Sequence, residues 1–395
     1  MARPKVDSRG MASSMPDMPD SRNWFAPTPD ALRRAFAASR RDGSWLVWRQ
    51  RRLLNFASND YLGLAVCKGV RRAAAEAILT HGLGSGASRL VSGDDLAFHH
   101  LERALAEWKG YEDCLLVGSG MLANIGLLSC LADRHCRIYA DRLNHASLLD
   151  GARLSGARLR RYAHRDLHML AKQLAHDPPG RRIIVSDGVF SMDGDCADIR
   201  GLIRLAEQYD ALLLIDDAHG IGTLPDPRGL TAMQRQAGHP RLIEVGTFGK
   251  AFGGYGAFIL GTHALIEGLR QRLRTMIYST ALPPALADAM IEALRRVRKG
   301  VRTRHLQRNI ARFRALAHDL PLAPSSTAIQ PLMVGDNERA LRIASKLRAS
   351  GFYVPAIRPP TVPSGTARLR ITLSALHTPA QIEALAARLK IILQA

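Results

Sequence analysis

The stretch EVGTFGKAFGGYGAFIL, residues 244–260, holds one cationic side chain, Lys250, among Phe248, Phe252, Tyr255, Phe258 and five glycines. A lysine that loses its hydration has a lowered pKa, and its neutral amine can then form an imine with a carbonyl compound. Taken alone, the segment better suits a lysine whose stem lies along apolar surface while its ammonium reaches water. Three other stretches bear on the choice. LLLIDDAHG puts Asp216 and His219 just past an apolar run, and DRLNHASLLDG puts His145 at the end of another. GSGMLAN offers the backbone N–H groups of Gly120 and Met121 at a helix start, where an anion binds readily. A carboxylate at a strand end either caps a helix or holds a ring nitrogen protonated. An imidazole there is either an ordinary loop group or one that stacks on an aromatic ring. An amine, a carboxylate, imidazoles and an anion cradle together suit imine chemistry on a phosphorylated aromatic carbonyl compound.

The elements that must position these groups alternate. DCLLVGSG, RIYAD, ARLRRY, RRIIVSDGVF, ALLLIDDAHG and RLIEVGTFGK each set a short apolar run before a polar or glycine turn. Helical patterns such as MLANIGLLSCLA, DLHMLAKQLAH and DIRGLIRLAEQYD lie between several of them. The alternation predicts an α/β fold with a mostly parallel sheet between helices, and ligands bound beyond the carboxyl ends of the strands. Ahead of this, PTPDALRRAFAASRRDG has a helical pattern, and WLVWRQRRLLNFASNDYLGL reads as two strands and a polar turn. After it, a long helical stretch over 281–318 leads to a strand–helix–strand–strand–helix order. The expected organisation is a mobile tail (1–26), an N-terminal helix and strands (27–60), a large domain (61–295) and a smaller C-terminal α+β domain (296–395).

Composition narrows the functional classes. The 395 residues are 47% hydrophobic, enough for a sizeable core. No run approaches the roughly 20 apolar residues of a membrane helix, and the N-terminus lacks the apolar core of a secretory signal. Five cysteines without metal-ligand spacing suit a reduced, cytoplasmic protein. The formal charge of +20 favours acidic partners. Its densest run, RRVRKGVRTRHLQR, has no aromatic interleaving and reads as a solvated helix face, so neither nucleic acid nor membrane is expected as a partner. HGLGSGASRLVSG is no dinucleotide fingerprint, because Gly82, Gly84 and Gly86 follow a helix at the wrong spacing.

Nine ordered stretches carry a resemblance: LNFASNDYLGL, GLGSGASRLVSG, LERALAEWKGYE, DRLNHASLLDGARLSGA, SDGVFSMDGD, IDDAHGIG, TFGKAFGGYGA, IYSTALPP and RLRITLSA. Over residues 27–392 the chain resembles the α-oxoamine synthases, enzymes of the aspartate aminotransferase-like fold (fold type I) that use pyridoxal 5'-phosphate. The resemblance implies a homodimer that joins an amino acid to an acyl thioester. Within the family, DALRRAFAASRRDGSWLV and VPAIRPPTVPSGTARLRITLSALH point to L-alanine and a pimeloyl thioester, on coenzyme A or an acyl carrier protein. It also implies roles. Lys250 anchors the cofactor covalently and moves the α-proton, Asp216 pairs with the pyridine nitrogen, and His145 stacks on the ring. His219 and Ser191 flank the ring hydroxyl. Thr247, Gly120 and Met121 hold the phosphate, with Asn124 supporting that loop and Thr280 reaching the phosphate of a neighbouring subunit. Arg370, assisted by Asn59, takes the amino-acid carboxylate, while Arg33 and Thr361 meet the acyl side. Met121 stands where many relatives carry Phe or Tyr, a mild departure if its backbone makes the contact.

Overall fold

The computed structural model describes residues 39–394. An antiparallel ribbon of β1 (Ser39–Asp42), β2 (Trp45–Trp48) and β3 (Arg51–Asn55) comes first, followed by helices α1 (Lys68–His81) and α2 (Leu96–Lys109). The strands and helices then alternate: β4 (Asp113–Val117), α3 (Gly120–Leu131), β5 (Arg137–Asp141), α4 (Ala146–Leu154), β6 (Arg158–Tyr162), α5 (Leu167–His176), β7 (Arg182–Asp187), α6 (Ile199–Gln208) and β8 (Leu212–Asp216). The short α7 (Leu230–Met233), β9 (Leu242–Thr247) and β10 (Ala257–Gly261) complete this part.

These strands form one seven-stranded sheet in the order β4-β10-β9-β8-β7-β5-β6. β5 to β9 are parallel, and β10 runs antiparallel to both β9 and β4. Six strands therefore end on the same edge, at Val117, Asp141, Tyr162, Asp187, Asp216 and Thr247. Because side chains alternate across a strand, each run feeds two cores. Leu115, Ile138, Ile183 and Leu214 pack with α3 residues Ala123, Leu127 and Leu128 on one face. Leu116, Tyr139, Ile184 and Leu213 pack with Phe98 and Leu101 of α2 and Leu202 of α6 on the other. Polar caps start the helices: Ser119 accepts from Leu122 N, Asp166 from Met169 N and Asp198 from Gly201 N.

After α8 (His263–Arg272) and α9 (Arg274–Ile277), α10 (Pro284–Arg298) and α11 (Val301–Leu316) precede the C-terminal elements. These are β11 (Ile329–Gly335), α12 (Asn337–Ala349), β12 (Phe352–Tyr353), β13 (Ala356–Ile357), β14 (Ala367–Thr372) and α13 (Pro379–Gln394). β11, β14 and β13 form a three-stranded antiparallel sheet, whereas β12 joins β3 in parallel.

The structure corrects four sequence expectations about elements. The end of the helical pattern over 27–43 is strand β1, paired with β2 from Ser39↔Trp48. The tail and the rest of that pattern, Arg33 included, lie outside the described residues. The helical stretch 281–318 breaks at Gly300, whose φ of 64° ends α10 and opens α11. The run FYVPAI splits into β12 and β13, which serve different sheets. Finally, β10 is a strand that the alternation does not signal, because it follows the lysine segment without an intervening helix.

Candidate active site

Beyond the carboxyl edge of the large sheet lies a cavity of about 180 Å³, lined among others by Lys250, Asp216, Asp187, His145, His219 and Thr247. Lys250 sits in the connection between β9 and β10. That connection is held by Thr247 Oγ1 donating to Gly256 O at 2.9 Å and by Phe248 N donating to Gly256 O at 2.9 Å. Lys250 as a residue is only partly exposed: it lines the cavity, and protein surrounds it on the remaining sides. Burial pulls the pKa of Lys250 down to about 8, against the pull of the Asp216 and Asp187 carboxyl groups and with help from the Arg370 charge. A fraction of the amine is therefore neutral near neutral pH.

Asp216 and Asp187 end neighbouring parallel strands and face each other in register. Asp216 Oδ1 accepts from Ala218 N at 3.0 Å, and Oδ2 accepts from Asn124 Nδ2 at 2.6 Å. Among the described residues, Asp187 Oδ1 accepts only from His145 N, at 3.2 Å. Burial, reinforced by the Asp216 charge, pushes the Asp187 carboxyl well above the usual carboxylate range. Asp187 thus resists ionisation more than a solvated carboxyl group, while its neighbour is fixed by two donors.

The imidazoles are each held through Nδ1. Ser147 Oγ lies 2.7 Å from His145 Nδ1 and accepts from Asn124 Nδ2 at 2.8 Å, so His145, Ser147, Asn124 and Asp216 form one chain of hydrogen bonds. The Tyr61 hydroxyl lies 2.7 Å from His219 Nδ1. Burial lowers both histidine pKa values, that of His219 strongly, with the Lys250 and Arg370 charges adding to the effect at His219. With Nδ1 accepting, a neutral ring carries its proton on Nε2 and can donate it into the cavity.

At the other end of the cavity, α3 starts on Ser119, whose hydroxyl and carbonyl accept from Leu122 N and Ala123 N. The N–H groups of Gly120 and Met121 take no partner among the described residues, which leaves an anion site at the positive end of a helix. Thr247 lines the same cavity.

Arg370 on β14 is buried, 6% exposed. Its Nε donates to Ser191 O at 2.6 Å, and Nη1 donates to Thr372 Oγ1 at 3.0 Å and Asn59 Oδ1 at 3.3 Å. Among the described residues no carboxylate pairs with it, so a buried guanidinium is oriented by neutral acceptors alone. Such a group fits an incoming carboxylate.

Not every expected residue reaches the cavity. Thr280 lines a separate, small pocket with Arg89 and Thr275. Thr361 lies exposed in the turn after β13. Asn124 does not support the loop ahead of α3; its amide is spent on Asp216 and Ser147, because it sits on the second turn of the helix, facing the sheet. Ser191 offers its carbonyl to Arg370, and its hydroxyl makes no hydrogen bond among the described residues. Asp187, Ser147 and Tyr61 are contributors that the sequence did not single out. Asp187 carried the same signal as Asp216, a carboxylate closing an apolar run.

The comparisons with known proteins follow this geometry. The family model for aminotransferase class I and II matches residues 51–389. The 8-amino-7-oxononanoate synthase of Alkalilimnicola ehrlichii is 50% identical over 345 residues, covering 86% of this chain and 88% of that protein. The synthase of the same name from Acidithiobacillus ferrooxidans is 49% identical over 343 residues, with the same coverage. The chain belongs to the 8-amino-7-oxononanoate synthase family. A solved 8-amino-7-oxononanoate synthase from Francisella tularensis superposes with a TM-score of 0.76 at 30% identity, over 87% of this chain and 98% of that one. A variant of serine palmitoyltransferase from S. paucimobilis, solved with a bound pyridoxal phosphate–myriocin aldimine, gives 0.87 at 28% identity over 91% and 92%.

Members of this family are pyridoxal 5'-phosphate enzymes of fold type I, and the chain is one of them. The cavity fits the cofactor: an amine of lowered pKa for the aldehyde, a fixed carboxylate for the ring nitrogen, imidazoles beside the ring, and unpartnered N–H groups for the phosphate.

Proposed function

We propose that the chain condenses L-alanine with a pimeloyl thioester, releasing the thiol and carbon dioxide and forming 8-amino-7-oxononanoate for biotin synthesis. The observation that carries this reading is one cavity in which an amine depressed to about 8 faces a carboxylate tied down by two donors, in a chain half identical to synthases of that name.

When bound, pyridoxal phosphate supplies an electron sink for charge developed at the amino-acid Cα. The chain's residues do the rest. Lys250 would hold the cofactor through its amine. When neutral and free, that amine would take the proton from Cα and return one to the product. Asp216, held by Asn124 and Ala218 N, keeps the ring nitrogen protonated. His145 would stack on the ring, and His219, with Nε2 free to donate, would hydrogen-bond the ring hydroxyl. Gly120, Met121 and Thr247 bind the phosphate, and Arg370 with Asn59 binds the alanine carboxylate. Arg33 and Thr361 are assigned to the acyl side, and Thr280 to a partner's phosphate. Support for a homodimer comes from the apolar side chains exposed on one stretch: Leu79 is 88%, Leu83 80% and Val91 79% exposed. The division at 295/296 assigns cofactor binding to the larger part. No described helix is long and apolar enough to cross a membrane, and the cytoplasm is the proposed location.

The test is turnover of L-alanine with pimeloyl-coenzyme A beside the pimeloyl carrier-protein thioester, read by thiol release and product mass. Thiol release that requires alanine, with product of the expected mass, supports the reading. Faster release with glycine or serine and another acyl donor assigns the chain to a sister activity, and amino-group exchange without thiol release would mean an aminotransferase.

A further inference from the structure

A hairpin leaves the carboxyl end of β7 at Gly188 and returns at Ala197, closed by Ala197 N donating to Gly188 O at 2.9 Å and Phe190 N to Asp195 O at 3.0 Å. It reaches the C-terminal sheet. Ser191 O takes the 2.6 Å hydrogen bond from Arg370 Nε, and Asp193 takes one of 2.5 Å from Arg368 Nη1. Gly194 O accepts from Ser325 Oγ at 2.8 Å and Thr327 Oγ1 at 3.0 Å. The hairpin therefore supplies one of the three acceptors that set where the Arg370 guanidinium sits.

Two side chains from the loop after β6, His164 and Arg165, tie this hairpin back to the large sheet through Asp195. His164, in the loop after β6, places Nδ1 at 3.1 and 3.2 Å from the two oxygens of Asp141 and Nε2 at 2.8 Å from Asp195 Oδ2. Both ring nitrogens face carboxylates, which only accept, so both nitrogens must carry protons and the ring is an imidazolium. Asp141 is itself immobilised at the end of β5 by Leu143 N at 2.8 Å and Arg165 N at 2.7 Å. The ring stands edge-on to Phe190 of the hairpin, 4.4 Å between centroids. Burial opposes the charge, but the hydrogen bonds and charges of Asp141 and Asp195 outweigh it and raise the pKa to about 9.

We propose that His164, as an imidazolium bridging Asp141 and Asp195, is a positioning residue for the amino-acid carboxylate site: it fixes the 188–197 hairpin whose Ser191 carbonyl aims Arg370. The inference rests on the reading of Arg370 as the carboxylate ligand. The groups facing the ring are Asp141 from β5, Asp195 from the hairpin and Arg165, which donates to Asp195 Oδ2 at 3.1 Å. Since the folded pKa is raised, the bridge is complete below the ordinary histidine value and is lost as pH rises through about 9.

The test uses the cofactor-loaded enzyme and propionate, a carboxylate without an amine, with affinity measured by calorimetry from neutral to alkaline pH. Wild type should bind propionate about tenfold more weakly above the His164 transition than below it, a loss comparable to breaking one charge-assisted hydrogen-bond network. His164→Gln should bind weakly at all pH values, without the step, while its cofactor affinity stays within about twofold, as expected of a group remote from the cofactor. Asp195→Asn, which keeps the hairpin's shape, should weaken propionate binding in the same direction. An alkaline step that persists unchanged in His164→Gln would belong to another group and would overturn the proposal, as would wild-type affinity in both variants. Arg370→Lys separates the two readings. If it binds propionate as wild type does, the carboxylate assignment fails; if it binds poorly while the His164 and Asp195 variants bind normally, only the clamp fails.

Discussion

The depressed Lys250 pKa can be read directly from the rate at which the apoprotein captures its cofactor. Only the neutral amine attacks the aldehyde. At pH 7 an ordinary lysine is ~0.03% neutral, whereas one with a pKa of about 8 is ~9% neutral, a difference of about 300-fold. Stopped-flow absorbance of the lysine-bound cofactor, after mixing apoprotein with pyridoxal phosphate, should show a rate climbing about tenfold per pH unit below the transition and levelling above about pH 8.5. The neighbours give the sign of the shifts. Asp216→Asn removes the strongest upward influence on the amine, so the break should move to lower pH. Arg370→Met removes a cation that lowers it, so the break should move to higher pH. A wild-type rate that keeps climbing past about pH 9.5 would show a lysine in ordinary hydration and would refute the desolvation argument.

Three further outcomes are expected. Asp216→Asn should retain the cofactor yet lose about 100-fold or more in turnover, because a preorganised charge opposite the ring nitrogen is gone; near-normal turnover contradicts its role. Tyr61→Phe should lower unfolding free energy in urea by about 1–3 kcal/mol, since His219 Nδ1 loses its buried partner; an unchanged midpoint means that the 2.7 Å contact contributes nothing. Gly246→Ala should destabilise by about 1–3 kcal/mol, because its Cβ would lie 2.2 Å from Phe258 Cζ; wild-type melting would show that the ring yields freely.

Much of the large sheet is legible because each strand is a short apolar run closed by a polar turn, and the chemistry sits in the closures: Asp216, His145 next to Asp141, Gly120, Lys250. Local pattern says nothing about groups brought in from far along the chain. Tyr61 meets His219 across 158 positions, and Asn59 meets Arg370 across 311. Asn124 looks like part of a phosphate loop because it follows the glycine turn, yet one helical turn is enough to aim it at the sheet. Several of the glycines around Lys250 serve the protein's own packing, although a Cβ on Gly249 would meet nothing closer than Thr247 Oγ1 at 3.5 Å. A Cβ on Gly253, at φ 69°, would strike Ala65 N at 2.1 Å, and one on Gly254 would strike the Met290 side chain. These glycines let the lysine connection pack against its own neighbours. The buried Glu244 that opens the stretch follows the same logic: it pairs with Lys109 and takes hydrogen bonds from Tyr111 and Thr231, both 2.6 Å, which fastens β9 to α2.

The arginines of β14 have a consequence for how this segment can change over time. Arg368 and Arg370 sit two positions apart and so project from the same side of the strand, both toward the hairpin, while Leu369 and Ile371 are fully buried in the apolar core. Point replacements at single positions alter the contacts of one side chain. Losing or gaining one residue within Ala367–Thr372 would exchange the two sets at once, presenting isobutyl and sec-butyl groups to Ser191 and Asp193 and driving two guanidiniums into hydrocarbon. Length variation among descendants of this sequence should therefore collect in the exposed turn at 360–366 and stop short of Ala367.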